Sequence, residues 1–195
     1  MTDNNSNGAV PLVEIWRGPI IESRHRGHLV AVDGKGGTVA SLGAPETVTY
    51  LRSSAKPFQM IPLLTSGAAD RFGFTAPEIA VACASHNGEP IHTGTVAAML
   101  GKIGLDESYL KCGVHEPFSA EVTRRLREAG EPPTVLHNNC SGKHTGFLAL
   151  SLHLGAPLET YDHPDHPVQQ LVLQTIADFS GAAVNEIELA TDGCG

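Results

Sequence analysis

Apolar and polar residues alternate along the first quarter of the chain, and longer segments with helix-like spacing follow. Alternation with a period of two is typical of half-buried β-strands. It predicts an antiparallel meander in which the glycine-rich residues 34–37 form a hairpin turn. The predicted strands cover residues 12–17, 20–25, 28–33 and 38–43, and a short apolar stretch covers residues 47–51.

The remaining residues carry helix signals. Pro77 and Glu78 are typical of a helix start, and Pro57 fits a first turn, where a missing N–H costs no hydrogen bond. The predicted helices cover residues 54–64, 76–82, 91–103, 120–129, 142–154 and 166–179, and short strands are expected at 134–136 and 186–191. Strands first and helices afterwards predict an α+β fold, with helices packed on an antiparallel sheet.

The composition is that of a globular domain. With 195 residues, 41% of them hydrophobic, the chain can bury a core of its own. Residues 1–10 are polar, and we expect them to form a disordered leader. The last five residues form a glycine-rich turn that follows a strand-like segment, where domains seldom end. We therefore expect residues 11–195 to be the N-terminal part of a single, truncated domain.

Charge and targeting signals exclude several classes of protein. The net charge is -8 and no basic run occurs, so neither nucleic acid nor an anionic membrane is a predicted partner. Residues 1–10 lack the pattern of a secretory signal, and no apolar stretch approaches the ~18 residues of a membrane span. A cytoplasmic location is therefore expected. The cysteines at 83, 112, 140 and 194 are too widely spaced to indicate a disulfide framework.

The first motif with chemical potential is Arg-Ser-Ser-Ala-Lys-Pro-Phe-Gln at residues 52–59. Ser53 and Lys56 have the i, i+3 spacing that places two side chains on one helix face. A desolvated lysine there can take the proton of a serine nucleophile, as in Ser-x-x-Lys enzymes. Ser54 faces elsewhere and is expected to be an N-cap or a supporting donor. The alternative is a capping serine followed by a surface lysine.

The second motif is Cys-Ala-Ser-His-Asn-Gly-Glu at residues 83–89. An apolar segment leads into this polar, glycine-bearing loop. Ser85 and His86 are adjacent in sequence, so their side chains point apart and do not by themselves indicate a dyad. The alternative is a polar turn without catalytic function.

The third motif, residues 137–144, joins a predicted strand to a predicted helix and reads His-Asn-Asn-Cys-Ser-Gly-Lys-His. Polar turns of this kind commonly carry functional sites. Cys140 and Lys143 share the i, i+3 spacing. The glycine framework of a P-loop is absent, because no glycine lies five residues before Gly142. Nucleotide binding is therefore not predicted.

The fourth motif, Thr-Asp-Gly-Cys-Gly at residues 191–195, supplies a second thiol in a polar turn. Cys140 and Cys194 could form half of a zinc site, with His137 or His144 as the usual kind of third ligand. The alternative is two free buried cysteines, because no Cys-x-x-Cys pair occurs.

Taken together and in this order, the four motifs resemble the L-asparaginase II family of the Rhizobium etli type, from about Pro11 to the last residue. The resemblance implies a fold similar to serine β-lactamases and glutaminases. It implies that Ser53 is the nucleophile with Lys56 as its base, and that Ser85 belongs to a second Ser–Lys pair.

The same resemblance implies further site residues. Zinc would be held by Cys140, Lys143 and Cys194, although a lysine ligand is unusual because its amine must be neutral. Arg52, His144 and Asp192 would lie near the substrate. The resemblance also implies a homodimer.

The implied reaction is hydrolysis of L-asparagine to L-aspartate and ammonia through an acyl-enzyme on Ser53. The alternatives are a glutaminase, a β-lactam-interacting serine enzyme, or a zinc-binding fragment with an incomplete catalytic site. Chains of this family continue past residue 195, and the resemblance puts the lysine partner of Ser85 and a further active-site cysteine there. Residues 1–195 alone are therefore expected to show little or no activity.

Overall fold

The computed structural model describes residues 7–191 and confirms an α+β fold. The chain divides into two compact units between Tyr50 and Leu51. The first unit contains the strands and the second contains the helices. None of the helices in the described part of the chain combines the length and apolar character needed to cross a membrane.

The first unit consists of two β-hairpins. Strands β1 (Val10–Arg17) and β2 (Ile20–Gly27) form one antiparallel pair, and β3 (Leu29–Val32) and β4 (Thr38–Leu42) form another. No ladder joins β2 to β3 within residues 7–191, so the predicted continuous meander is wrong. Only His28 separates β2 from β3. One residue is too short to reverse the chain and bring β3 back along β2.

The predicted turn between β3 and β4 is confirmed. The Asp33 side chain accepts hydrogen bonds from the backbone N–H groups of Lys35 and Gly37, both at 2.8 Å. Gly36 has a φ of 82°, which a residue with a side chain rarely adopts. An aspartate that bonds its own turn and a glycine with positive φ therefore set the reversal.

The second unit is built from α-helices and short 3-10 turns. Its helices are α1 (Lys56–Gln59), α2 (Ile61–Thr65), α3 (Ala68–Arg71), α4 (Ala76–Ala82), α5 (Pro90–Lys102), α6 (Ala120–Ala129), α7 (Ser141–Leu154) and α8 (Pro167–Ser180). The 3-10 turns cover Arg52–Ala55, Glu107–Tyr109, Val135–His137 and Val184–Glu186.

The single helix predicted over residues 54–64 is divided into three pieces. A 3-10 turn, Arg52–Ala55, leads into α1, and α2 begins after Met60. Pro62 lacks the N–H that would continue the ladder, and its ring crowds the carbonyl four residues earlier. The prediction therefore missed the second proline of this segment, which ends the helix.

Neither of the two short strands predicted in the second unit forms. Residues 135–137 form a 3-10 turn, in which the Thr134 hydroxyl accepts from the Leu136 N–H at 3.2 Å and His137 Nδ1 accepts from the Thr134 N–H at 3.0 Å. These local side-chain bonds replace the ladder bonds of a strand. Residues 187–191 are also not in a strand.

Helix α7 forms the centre of the second unit. Every residue from Ser141 to Ser151 is buried, and α7 packs against α2, α3, α4, α5 and α8. A helix that is buried all round needs partners for its polar groups as well as an apolar surface. Thr145 and Ser151 meet this need by donating to carbonyls one turn earlier, at 2.9 Å each.

Helices α4 and α7 approach each other closely at Gly142. A Cβ atom at this position would lie 2.5 Å from the Val81 carbonyl oxygen and 2.8 Å from the Val81 carbonyl carbon. Backbone cannot move aside as a flexible side chain can. The absence of a side chain at Gly142 therefore sets the distance between α4 and the first turn of α7.

We expect Gly142→Ala to destabilise the protein by about 1–3 kcal/mol, because the new methyl group overlaps the backbone of α4. Gly94→Ala is the matched control, since Gly94 is exposed within α5 and a Cβ there meets nothing within 4 Å. That control should raise stability by up to about 1 kcal/mol. Urea unfolding measures both changes, and equal effects of the two substitutions would contradict the close approach.

Candidate active site

The Lys56 side chain joins the first, second and third motifs. Its residue is only 2% exposed. Its ammonium donates to the Ser85 hydroxyl at 2.9 Å, to the Ala84 carbonyl at 3.0 Å and to the Asn139 carbonyl at 3.2 Å. A buried cation needs such oxygen partners, since desolvation costs several kcal/mol. The lysine is therefore an internal group at a junction of three segments, which excludes the surface-lysine alternative.

Lys56 and Ser85 form a pair that the sequence did not predict. The resemblance places the lysine partner of Ser85 beyond residue 195, whereas here the hydroxyl of the exposed Ser85 contacts Lys56. A further lysine near Ser85 stays a prediction. No hydrogen bond joins Ser53 Oγ to Lys56 Nζ among the described residues.

Ser53 and Ser54 lie in the exposed 3-10 turn before Lys56. The Ser54 hydroxyl donates to the Leu51 carbonyl, so Ser54 is not the N-cap that the sequence suggested. Arg52 has a φ of 53°, a left-handed conformation that costs about 1–2 kcal/mol in a residue with a side chain. Strain of this kind is concentrated at functional sites.

The turn before α7 is held by two buried or half-buried side chains that the sequence did not single out. The Asn138 amide donates to the Cys112 carbonyl at 2.7 Å, and its oxygen accepts from the Cys140 N–H at 2.8 Å. His115 Nε2 accepts from the Asn139 N–H at 3.1 Å. These bonds hold the backbone whose Asn139 carbonyl accepts from Lys56.

His86 is buried beside the exposed Ser85. Burial and, to a smaller extent, nearby His92 and Lys56 lower its pKa to about 4. The ring is therefore neutral near pH 7. Its Nε2 lies 2.9 Å from the Ser141 hydroxyl on α7. The second motif is thus more than a polar surface turn, because one of its side chains is anchored in the helical core.

Cys140 directly precedes α7 and Lys143 lies in its first turn, and both are buried, at 5% and 7% exposure. Thiolate sulfur and a neutral amine are both donors that bind zinc. Cys194, the third predicted ligand, lies outside the described residues. No cluster of three His, Cys, Asp or Glu residues suited to a metal ion occurs within residues 7–191. The donor chemistry of Cys140 and Lys143 suits zinc, and the site itself stays a prediction.

His144 is fixed by Tyr161. The Tyr161 hydroxyl lies 2.8 Å from His144 Nδ1 and also accepts from the Lys111 N–H at 2.8 Å. Burial raises the pKa of Tyr161 well above its usual value, so the hydroxyl keeps its proton. The Tyr161 hydroxyl therefore bridges the Lys111 backbone and the His144 ring.

A cavity of about 270 Å³ lies beside α7. Its walls include Gln59 from the end of the first motif, Lys143 from the third and Thr191 from the fourth. The size suits a small amino acid better than a drug-sized ligand. Ser53, Lys56 and Ser85 are not part of its lining. The cavity therefore has a predicted zinc ligand, Lys143, and the first residue of the fourth motif, Thr191, in its lining. Asp192 itself lies outside the described residues.

Comparison with known protein families identifies the family of this chain. The L-asparaginase II family model matches residues 13–195. The chain belongs to the L-asparaginase II family. No curated protein matched the chain. The family's name indicates an amidohydrolase of the asparaginase type that acts on a small molecule.

Within this member of the L-asparaginase II family, Tyr161→Phe should lower the free energy of unfolding by about 1–3 kcal/mol. The substitution leaves the Lys111 N–H and the buried His144 Nδ1 without the hydroxyl that bonds to both. Tyr109→Phe is the control, because Tyr109 is 41% exposed and its change should stay within about 0.5 kcal/mol. Urea unfolding of both variants tests the contact, and a Tyr161→Phe variant as stable as the control would contradict it.

Proposed function

We propose that the protein is an L-asparaginase that hydrolyses L-asparagine to L-aspartate and ammonia through a serine acyl-enzyme. The observation that carries the proposal is the buried Lys56 amine, 2.9 Å from the Ser85 hydroxyl and three residues after Ser53. A lysine beside a hydroxyl can take the proton of a nucleophile once its own amine has been deprotonated. Family membership supports the amide substrate.

Ser53 is the proposed nucleophile, with Lys56 as the base. Ser53 attacks the side-chain amide carbon, ammonia leaves with a proton, and water then hydrolyses the ester to release aspartate. Ser85 is hydrogen-bonded to Lys56 and lies on the path by which that lysine can pass its proton on.

The substrate's two charged groups require opposite charges in the site. Arg52 is the proposed partner of the α-carboxylate, and it directly precedes Ser53 in the chain with a strained backbone. Asp192 is the proposed partner of the α-ammonium group. His144 is the proposed hydrogen-bonding partner of the substrate's amide group. All three assignments follow the family resemblance, and the Tyr161 hydroxyl holds the His144 ring in place.

Zinc is the proposed metal, held by Cys140, Lys143 and Cys194. When bound, it would orient the substrate and join the turn before α7 to the fourth motif. Cys140 and Lys143 are both buried at the start of α7, three residues apart. The acid–base chemistry belongs to Lys56 and the serines.

The nucleophile assignment predicts that Ser53→Ala lowers kcat for asparagine by about 10³-fold or more in the full-length protein. Ser85→Ala should lower it by about 10²-fold, the usual contribution of a proton-transfer group. Ser54→Ala is the matched control, because its hydroxyl bonds to Leu51 and not to Lys56. Ammonia release measures turnover, and mass spectrometry of a trapped intermediate identifies the acylated serine.

Acylation at Ser85, or turnover retained by Ser53→Ala, would transfer the role of nucleophile to Ser85. Asparagine, glutamine and nitrocefin should be assayed side by side with the unmodified protein. Faster ammonia release from glutamine or cleavage of nitrocefin would replace the asparaginase proposal with one of the other Ser-x-x-Lys activities.

The zinc proposal predicts that Cys140→Ser and Cys194→Ser each weaken zinc binding at least about 10-fold, because each removes one donor. Cys83→Ser is the control, since Cys83 is half-buried and outside the proposed site. Zinc content of the dialysed full-length proteins by mass spectrometry gives a readout independent of activity. An unchanged zinc content in Cys140→Ser would contradict the ligand set.

A further inference from the structure

The His86 ring bonds to Gly88 in its own loop and to Ser141 on α7, and its backbone bonds to Asn139. It lies next to Ser85 in sequence, yet it is only 4% exposed. Gly88 N–H donates to His86 Nδ1 at 3.1 Å, and Ser141 Oγ lies 2.9 Å from His86 Nε2. The His86 N–H donates to the Asn139 carbonyl at 3.3 Å. The loop that carries Ser85 is therefore tied to α7 and to the turn before it.

The position of the His86 proton follows from its partners. A backbone N–H can only donate, so Nδ1 must offer its lone pair to Gly88. The neutral ring then carries its proton on Nε2 and donates it to Ser141. The Ser141 hydroxyl in turn donates to the Leu136 carbonyl at 3.0 Å. The direction of each hydrogen bond in this series is fixed, because the series begins at a backbone N–H and ends at a backbone carbonyl.

The residues on both sides of Ser85 in the sequence are held by hydrogen bonds. On one side, the Ala84 carbonyl accepts from Lys56; on the other, the His86 N–H donates to the Asn139 carbonyl, which also accepts from Lys56. The short Lys56–Ser85 contact thus depends on the distance between the Ser85 loop and the turn at Asn139. The imidazole of His86 ties the same loop to Ser141, two residues after Asn139.

We propose that His86 is a positioning residue: as the neutral Nε2–H tautomer it binds Ser141 and holds the Ser85 hydroxyl within hydrogen-bond distance of Lys56. This rests on the proposed function, in which Lys56 and Ser85 handle the proton. His86 itself does not touch the substrate and transfers no proton in this account.

Two substitutions separate the two bonds of the ring. In His86→Gln, the amide nitrogen reaches the place of Nε2 and can still donate to Ser141. In His86→Asn, the amide oxygen reaches the place of Nδ1 and can still accept from Gly88, but nothing reaches Ser141. His92→Asn is the matched control, because the His92 ring stacks on His86 and its Nδ1 accepts from the Glu89 N–H, which asparagine can replace.

In the full-length protein, His86→Asn should lower kcat for asparagine about 10- to 100-fold with KM changed less than about threefold, since misplacement by about 1 Å costs up to 10²-fold. His86→Gln should recover kcat to within about fivefold of the unmodified protein. Ser141→Ala should resemble His86→Asn, and combining the two should cost little more than either alone, because both break one bond.

Crystal structures of the same variants test the geometry without activity. His86→Asn should separate Lys56 Nζ and Ser85 Oγ beyond 3.5 Å, and His86→Gln should keep them in contact. An unchanged contact in His86→Asn, or equal losses of kcat in the asparagine and glutamine variants, would overturn the inference. If the unmodified protein does not hydrolyse asparagine, the proposed function fails, and these distances still decide the role of His86.

Discussion

The buried amine of Lys56 is the constraint on which the rest of the site depends. A charged group that is 2% exposed is tolerated only when oxygen atoms replace its water. Here those oxygens come from Ala84, Ser85 and Asn139, in two loops that are distant in sequence. Both loops must stay in place for the lysine to remain buried. The requirement that stabilises the fold therefore also places a serine hydroxyl against a potential base.

Small residues on α7 make this arrangement possible. Gly142 admits the Val81 carbonyl of α4, and Gly146, one turn later on the same face, leaves room for the Met60 sulfur, 2.6 Å from where a Cβ would stand. The first contact positions α4, which leads to Ser85, and the second positions the segment just after α1. Close backbone packing against one helix thus brings the two halves of the Ser–Lys pair together.

The polar side chains of α7 and its neighbours have directed hydrogen bonds. The Gly88 N–H determines which nitrogen of His86 carries the proton, because a backbone N–H cannot act as an acceptor. The Tyr161 hydroxyl holds the His144 ring. A neutral histidine of defined tautomer lets a site present a hydrogen-bond donor at a chosen place without the cost of another buried charge.

The hairpin turn at Asp33, the helix from Ser141 and the Ser-x-x-Lys motif could all be predicted from sequence, because each depends on residues a few positions apart. The order of the motifs also indicated the family. The break at Pro62 was a missed local signal. The partner of Lys56 was different in kind: spacing pointed to Ser53, whereas folding placed Ser85, 29 residues away, against the amine. Only tertiary structure decided that contact, since it depends on how closely helices pack, and local periodicity does not encode that distance.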